Sequence, residues 1–202
     1  SAASDVYKRQ KDLLSIVSHF QLQGTVQEIN PLGAGLINDT YKVSTLEADA
    51  PDYVLQRINH AIFQNVEMLQ ANINAVTTHI RKKLEEKGEK DIERKVLHFF
   101  PADTGKTYWH DGESYWRVMA FIPNARTYET VNPEYSYYAG VAFGNFQAML
   151  ADIPDKLGET IPDFHNMEFR LKQLRDAVAA DAAGRVTVSY THLRAHETRH
   201  DL

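Results

Sequence analysis

Hydrophobic positions change period several times along the chain, and each change marks an element. Leu13, Leu14, Ile16, Val17 and Phe20 fall at helical spacing and predict one short amphipathic helix. A strand-like run at 25–30, carrying Val26 and Ile29, is followed by strands at 41–45 and 53–58, the last rich in strand formers. A long helix comes next. Val66, Leu69, Ile73, Val76, Ile80 and Leu84 recur at intervals of three and four, with Asn65 placed to cap the start and Gly88 to end it. Arg81, Lys82, Lys83 and Lys87 in its last turns complement the helix dipole, and a solvated face accounts for them fully.

Beyond that helix the pattern predicts a strand at 95–100 and a hairpin whose arms, 107–110 and 114–121, flank Asp111-Gly112, a dipeptide suited to a tight turn. Pro123-Asn124 ends the second arm and opens a linker. Asn132-Pro133-Glu134 then reads as cap, first helical position and first-turn acid of a helix running through Tyr138, Val141, Ala142, Phe146 and Met149. A loop at 161–165 precedes a last helix from Met167 to about Ala183. No repeat or low-complexity stretch interrupts this order.

The segment between the first two strands, Pro31-Leu32-Gly33-Ala34-Gly35-Leu36-Ile37-Asn38-Asp39-Thr40-Tyr41, carries the clearest chemical signal. Glycines one residue apart let backbone amides approach a polyanion, and Asn38, Asp39 and Thr40 add short hydrogen-bonding side chains. A Gly-rich hairpin turn joining two strands has the same letters, so the turn alone does not select phosphate binding.

Composition narrows the classes. Hydrophobic content of 43% over 202 residues suffices for one core, or for one lobe and part of a second. With a formal net charge of −5, nothing in the chain resembles the basic face of a nucleic-acid binder, and no nucleic-acid partner is expected. The absence of cysteine excludes disulfide scaffolds and thiolate metal sites and fits a reducing compartment such as the cytoplasm. No apolar run reaches the length of a membrane span, so no membrane partner is expected.

The two ends read differently from the rest. Residues 1–10 (SAASDVYKRQ) and 188–198 (VSYTHLRAHET) resemble in-frame translations of the two arms of a sequencing adapter, so 1–10 and 187–202 are expected to be adapter-derived. The natural insert is then about 11–186, cut at its C-terminal side, with a charge near −6 once the +1 of Asp5, Lys8 and Arg9 is removed. The tail also contains His196-Glu197-Thr198-Arg199-His200, which fits the H-E-x-x-H zinc pattern and, with His192, continues at helical spacing. An adapter origin makes that match an accident of reading frame.

Within the insert, Gly33 to Tyr41, Tyr53-Val54-Leu55-Gln56-Arg57-Ile58-Asn59-His60, Tyr115-Trp116-Arg117-Val118-Met119-Ala120-Phe121-Ile122 and Pro162-Asp163-Phe164-His165 together resemble the aminoglycoside phosphotransferase and choline kinase superfamily. Within it they are most similar to bacterial N-acetylhexosamine 1-kinases, which phosphorylate the anomeric hydroxyl of GlcNAc or GalNAc with ATP and Mg2+. The resemblance implies an α+β, protein-kinase-like fold: a small lobe at 11–124 (antiparallel sheet plus one long helix), then a linker and incomplete helical large lobe at 125–186. Nucleotide and a small-molecule sugar are the implied partners.

Carried across residue by residue, the resemblance implies that Gly33, Ala34, Gly35, Asn38 and Thr40 cover the ATP phosphates. It implies that Arg57, on the third strand and sharing a face with Tyr53 and Leu55, is the cation that neutralises them; a snorkelling strand residue is the plain alternative. Glu67 is the acid on the following helix that would hold the cation, although a first-turn Glu is also ordinary dipole complementation, and Asn72 is a polar substitute. Met119 and Phe121 belong to the implied hinge, where adenine lies between apolar walls; an ordinary core strand has the same letters. Arg117 is expected to be structural, paired with a carboxylate or stacked. His165 would shape the sugar side of the cleft, or serve as a satisfied loop histidine.

Phosphoryl transfer also needs an Asp to orient the acceptor hydroxyl and oxygen ligands for Mg2+. Relatives carry these in a His-x-Asp-x-x-x-x-Asn loop and a later Asp, and neither pattern occurs in this chain. The expectation is therefore a catalytically inactive portion of an N-acetylhexosamine kinase. The alternatives are the same fold acting on choline, homoserine or an aminoglycoside, and a non-catalytic nucleotide-binding or interaction module.

Overall fold

The computed structural model describes residues 12–33, 35, 37–128, 130 and 132–185. The chain divides into two compact units, 1–160 and 161–202. In the first, a short helix α1 covers residues 12–17. Then come β1 (Val26–Pro31), β2 (Asp39–Thr45), β3 (Tyr53–Ile58), α2 (Val66–Glu86), a 3-10 turn (Ile92–Arg94), β4 (Phe99–Phe100), β5 (Trp109–His110), β6 (Tyr115–Ala120) and α3 (Pro133–Leu150). The strands form one antiparallel sheet in the order β1-β2-β3-β6-β4, with β5 also pairing β6. This is the α+β arrangement expected: an antiparallel sheet crossed by one long helix.

Strand alternation sends successive side chains to opposite faces. On one face Tyr41, Val43, Tyr53, Leu55 and Val118 are buried with Leu13, Ile16 and Val17 of α1 and with Phe20, forming the largest apolar cluster. On the other, Ile58 packs against Val66 and Leu69 of α2. Further along α2, Ile80 and Leu84 bury Val96, with Met149 and Leu150 of α3 against them.

The caps behave as their letters require. Asn65 accepts from the Met68 N–H at 2.9 Å and Asn132 from the Tyr135 N–H at 2.8 Å, each satisfying a donor left over at a helix start. Gly88 follows the last turn of α2 with φ of +67°, a backbone conformation that suits glycine. At the β5–β6 turn, Asp111 Oδ1 accepts from the N–H groups of Glu113 and Ser114 at 2.8 and 2.6 Å, and Gly112 has φ of +103°.

Three elements of the first unit fall well short of their patterns. α1 ends at residue 17, because the N–H groups of His19 and Phe20 turn back onto Ile16 and Val17 and Phe20 instead bridges Ala102. The strand expected at 95–100 is confined to Phe99–Phe100, since the N–H groups of Lys95 and Val96 are spent on the Ile92 carbonyl while Val96 packs against α2. The first hairpin arm is reduced to Trp109–His110, because the Thr107 carbonyl accepts from Gln70 at 2.9 Å rather than from a strand.

In the second unit, α4 (Met167–Ala180) starts at Asn166, whose side chain accepts from the Phe169 N–H at 3.0 Å, and ends at Asp181 with φ of +35°. It is three residues shorter at its C-terminus than the pattern predicts. Among the described residues no helix is long and apolar enough to cross a membrane.

Candidate functional site

The turn after β1 is built as its glycines suggest. Gly33 has φ of +71°, and a Cβ on Gly35 would lie 2.7 Å from the Asn38 carbonyl oxygen, closer than carbon and oxygen tolerate. Leu32 donates its N–H to the Thr40 carbonyl at 2.8 Å, closing the base of the turn. Asn38 Oδ1 accepts from the Asn59 N–H at 2.9 Å, which ties the turn to the end of β3. Ala34 lies outside the described residues.

From Thr40 a polar chain runs across the sheet face that looks toward α2. Gln56 Nε2 donates to Thr40 Oγ1 at 3.0 Å, and Gln56 Oε1 accepts from Arg117 Nε at 3.0 Å and Nη2 at 2.6 Å. Register explains the meeting: Thr40, Gln56 and Arg117 are successive cross-strand partners on β2, β3 and β6. Arg117 Nη1 then donates to Oε1 of Gln70 at 2.9 Å, and Gln70 Nε2 donates to the Thr107 carbonyl at 2.9 Å. Gln70 is 2% exposed although polar, on the helix face that Val66 and Ile73 also line. A glutamine inside an apolar stripe was the signal that could have revealed it.

Arg117 was expected to pair with a carboxylate or to stack. It stacks: its guanidinium carbon lies over the Phe99 ring, 5.5 Å from the centre, and its hydrogen-bond partners are two neutral amides rather than a carboxylate. Burial pushes this guanidinium down to about 10.

The expected Arg57–Glu67 pair is not formed. Arg57 shares a face with Tyr53 and Leu55, as the alternation implies, but that is the face covered by α1, opposite α2. Its side chain meets Asp39 instead, through Nε at 2.7 Å and through Nη2. Glu67 pairs with Lys106 at 3.0 Å. Asn72 holds the backbone of Gly158 and takes no part in the Gln56–Arg117 chain.

Met119 stands two residues along β6 from Arg117, on the same face, opposite Val54 of β3. It lines a cavity of about 660 Å³ together with Gln56, Arg117, Phe99, Ile73 and Val76. The Phe121 ring lies beneath Lys42 Nζ at 4.6 Å, and its N–H donates to the Asp52 carbonyl at 3.1 Å. In the second unit His165 is exposed and makes an edge contact with the Phe164 ring at 4.7 Å. The structure thus brings together Thr40, Gln56, Arg117 and Met119 on one sheet face, while Arg57 lies on the other. His192, His196, Glu197 and His200 lie outside the described residues. Among the described residues no group of three or more His, Asp and Glu side chains gathers as a metal site.

A Gly-containing strand turn, an antiparallel sheet and a long helix across the face that carries the polar chain make up one α+β unit. The model of the phosphotransferase enzyme family, APH, matches residues 28–201, and the chain belongs to that family. Among solved structures it is similar to spectinomycin phosphotransferase APH(9)-Ia in complex with ADP and spectinomycin, at 10% identity and a TM-score of 0.46, covering 73% of this chain and 39% of that one.

Proposed function

We propose that the chain is the nucleotide-binding portion of an ATP-dependent kinase that phosphorylates the anomeric hydroxyl of an N-acetylhexosamine. The observation that carries the nucleotide part is the continuity of the turn at Gly33 and Gly35 with Thr40, Gln56 and Arg117 on one sheet face. Backbone amides of the turn and a cation beneath it are what a polyphosphate requires. Apolar side chains at Met119 and Phe99 beside that cation suit a flat base. The sugar rests on the likeness of Gly33 to Tyr41, Tyr53 to His60, Tyr115 to Ile122 and Pro162 to His165 to N-acetylhexosamine 1-kinases, with His165 on the acceptor side.

Magnesium would be held by one or two carboxylates together with the nucleotide's phosphate oxygens and water. The test is to express the complete reading frame and follow ADP release with GlcNAc, GalNAc, choline, homoserine and an aminoglycoside as acceptors. Turnover led by the N-acetylhexosamines supports the reading. Turnover confined to choline, homoserine or the aminoglycoside overturns the sugar, and absence of nucleotide binding overturns both.

A further inference from the structure

Several cations in the sheet unit are matched to acids. Lys42 meets Asp52 at 2.8 Å, Arg81 meets Glu93 at 2.6 Å, and Arg57 and Lys83 contact Asp39 and Asp152. Arg117 differs. It is half-buried on the α2 side of the sheet, and among the described residues its hydrogen-bond partners are the amide oxygens of Gln56 and Gln70 alone. Taking a guanidinium out of water without an opposing charge is costly, and neutral amides offset only part of that cost. The downward shift of its pKa to about 10 has the same origin, burial with no anion to favour the charged form.

Geometry shows where an anion would come from. A guanidinium has five N–H donors, and three contacts are spent on Gln56 and Gln70, which leaves N–H groups on the two terminal nitrogens. Arg117 lines the 660 Å³ cavity, whose other walls are mostly apolar. Gln56 clamps its inner edge and Gln70 its terminus, so the fork is held before any ligand arrives, and the same Gln56 touches Thr40 at the foot of the Gly turn.

We propose that Arg117, and not Arg57, is the cation that receives the nucleotide's phosphate groups, with Gln56 and Gln70 as the residues that position it. The assignment rests on the nucleotide reading above. It follows from register: the third-strand residue on the α2 face is Gln56, an amide without charge, and the charge is supplied one strand over, by its cross-strand partner on β6. Arg57 is neutralised by Asp39 on the opposite face.

The test compares ADP, AMP and adenosine binding by the full chain and by Arg117→Met, Arg117→Lys, Gln56→Glu and Arg57→Met variants, each checked by thermal melting. The assignment predicts that Arg117→Met weakens ADP by about tenfold or more, leaves adenosine nearly unchanged, and that Arg57→Met stays within about twofold. Arg117→Lys should recover part of the loss, since charge returns without the fork. Gln56→Glu guards against a folding defect: it keeps the contact but supplies the missing acid, so it should weaken ADP while leaving melting unchanged or raised. ADP affinity unchanged in both Arg117→Met and Gln56→Glu, with wild type binding, would overturn the assignment and leave the nucleotide reading standing. Failure of the wild-type chain to bind ADP would overturn that reading, and this assignment with it.

Discussion

Asn72 and Gly158 exchange two hydrogen bonds across 86 residues of sequence: Asn72 Nδ2 donates to the Gly158 carbonyl at 2.7 Å, and the Gly158 N–H returns one to Oδ1 at 2.9 Å. A single amide side chain thus imitates a strand pairing and fastens the segment after α3 to the second turn of α2. Replacing it with alanine leaves a backbone donor and a backbone acceptor unpaired in a partly buried place. Asn72→Ala should lower stability by about 2 kcal/mol, and Asn72→Asp, which keeps only the acceptor, by less. Urea titration measures both, and an unchanged midpoint for the alanine variant would contradict the role given to this pair.

Tyr53 makes a similar link on the other face. Its ring is fully buried, edge-on to Phe100 at 5.1 Å, while its hydroxyl accepts from the Gln23 N–H at 2.8 Å and donates to the Gln23 carbonyl at 3.0 Å. Tyr53→Phe keeps the packing and removes only the hydroxyl. Because Gln23 is itself exposed, water takes over part of the pairing, so the expected loss is about 1 kcal/mol rather than the larger cost of a buried orphan. Hydrogen exchange at the Gln23 amide should quicken in the variant; equal exchange rates would count against the bond.

Gly35 separates turn geometry from stability. A methyl group there meets the Asn38 carbonyl oxygen at 2.7 Å, and since that atom is backbone the turn must open to admit it. Gly35→Ala should weaken ADP by several-fold through displaced amides, with little change in melting because the turn contributes nothing to the apolar clusters. Gly33→Ala meets no atom but must hold φ of +71°, so its effect should appear as about 1 kcal/mol of lost stability. Equal ADP affinity for Gly35→Ala and wild type would remove the turn from the binding site.

Legibility in the sequence followed the locality of the cause. Strand β3 and the starts of α2, α3 and α4 were readable because alternation, Asn caps and Pro133 act within a few residues. Element ends were less so: the strand before Phe99 gives way because Lys95 and Val96 close a turn on Ile92, and Thr107 leaves its strand to bond Gln70, a partner 37 residues away. The same applies to the site. Alternation correctly put Arg57 with Tyr53 and Leu55, but which sheet face α1 covers and which α2 covers is a packing outcome that no local pattern encodes. Gln70 carried a visible signal, a polar residue on an apolar helix face, yet its meaning depended on knowing that Arg117 lies across from it.

Acid sensitivity has a specific contributor in Asp52. Lys42 hydrogen-bonds its carboxylate at 2.8 Å, and this contact, with the Thr45 N–H at 3.1 Å, holds the pKa below its ordinary value against the opposing effect of burial. For an acid whose folded pKa is depressed, the stabilisation is complete above the unfolded pKa and disappears as pH falls through the folded one. Asp52→Asn should therefore be less stable than wild type near neutrality, with the gap closing between about pH 5 and pH 2. Melting temperatures of both proteins across that range decide it, and a gap that does not depend on pH would show that the Lys42 contact contributes no linkage.

Helix α3 gives the last expectation. Its sequence has one charged residue, Glu134, and none of its side chains is buried, although a helix with apolar residues on all sides ordinarily sits inside a core. Phe146 and Met149 line the cavity beside α2, but Tyr137 and Phe143 are 68% and 71% exposed. Apolar surface of this kind drives association in water in proportion to its area. Sedimentation velocity should show species that grow with concentration, and placing a charge on the helix by Tyr137→Lys with Phe143→Lys should return the protein toward a monomer without lowering its melting temperature, since neither side chain supports the fold. A single sharp monomer for wild type at all concentrations would show that this helix tolerates water as it stands.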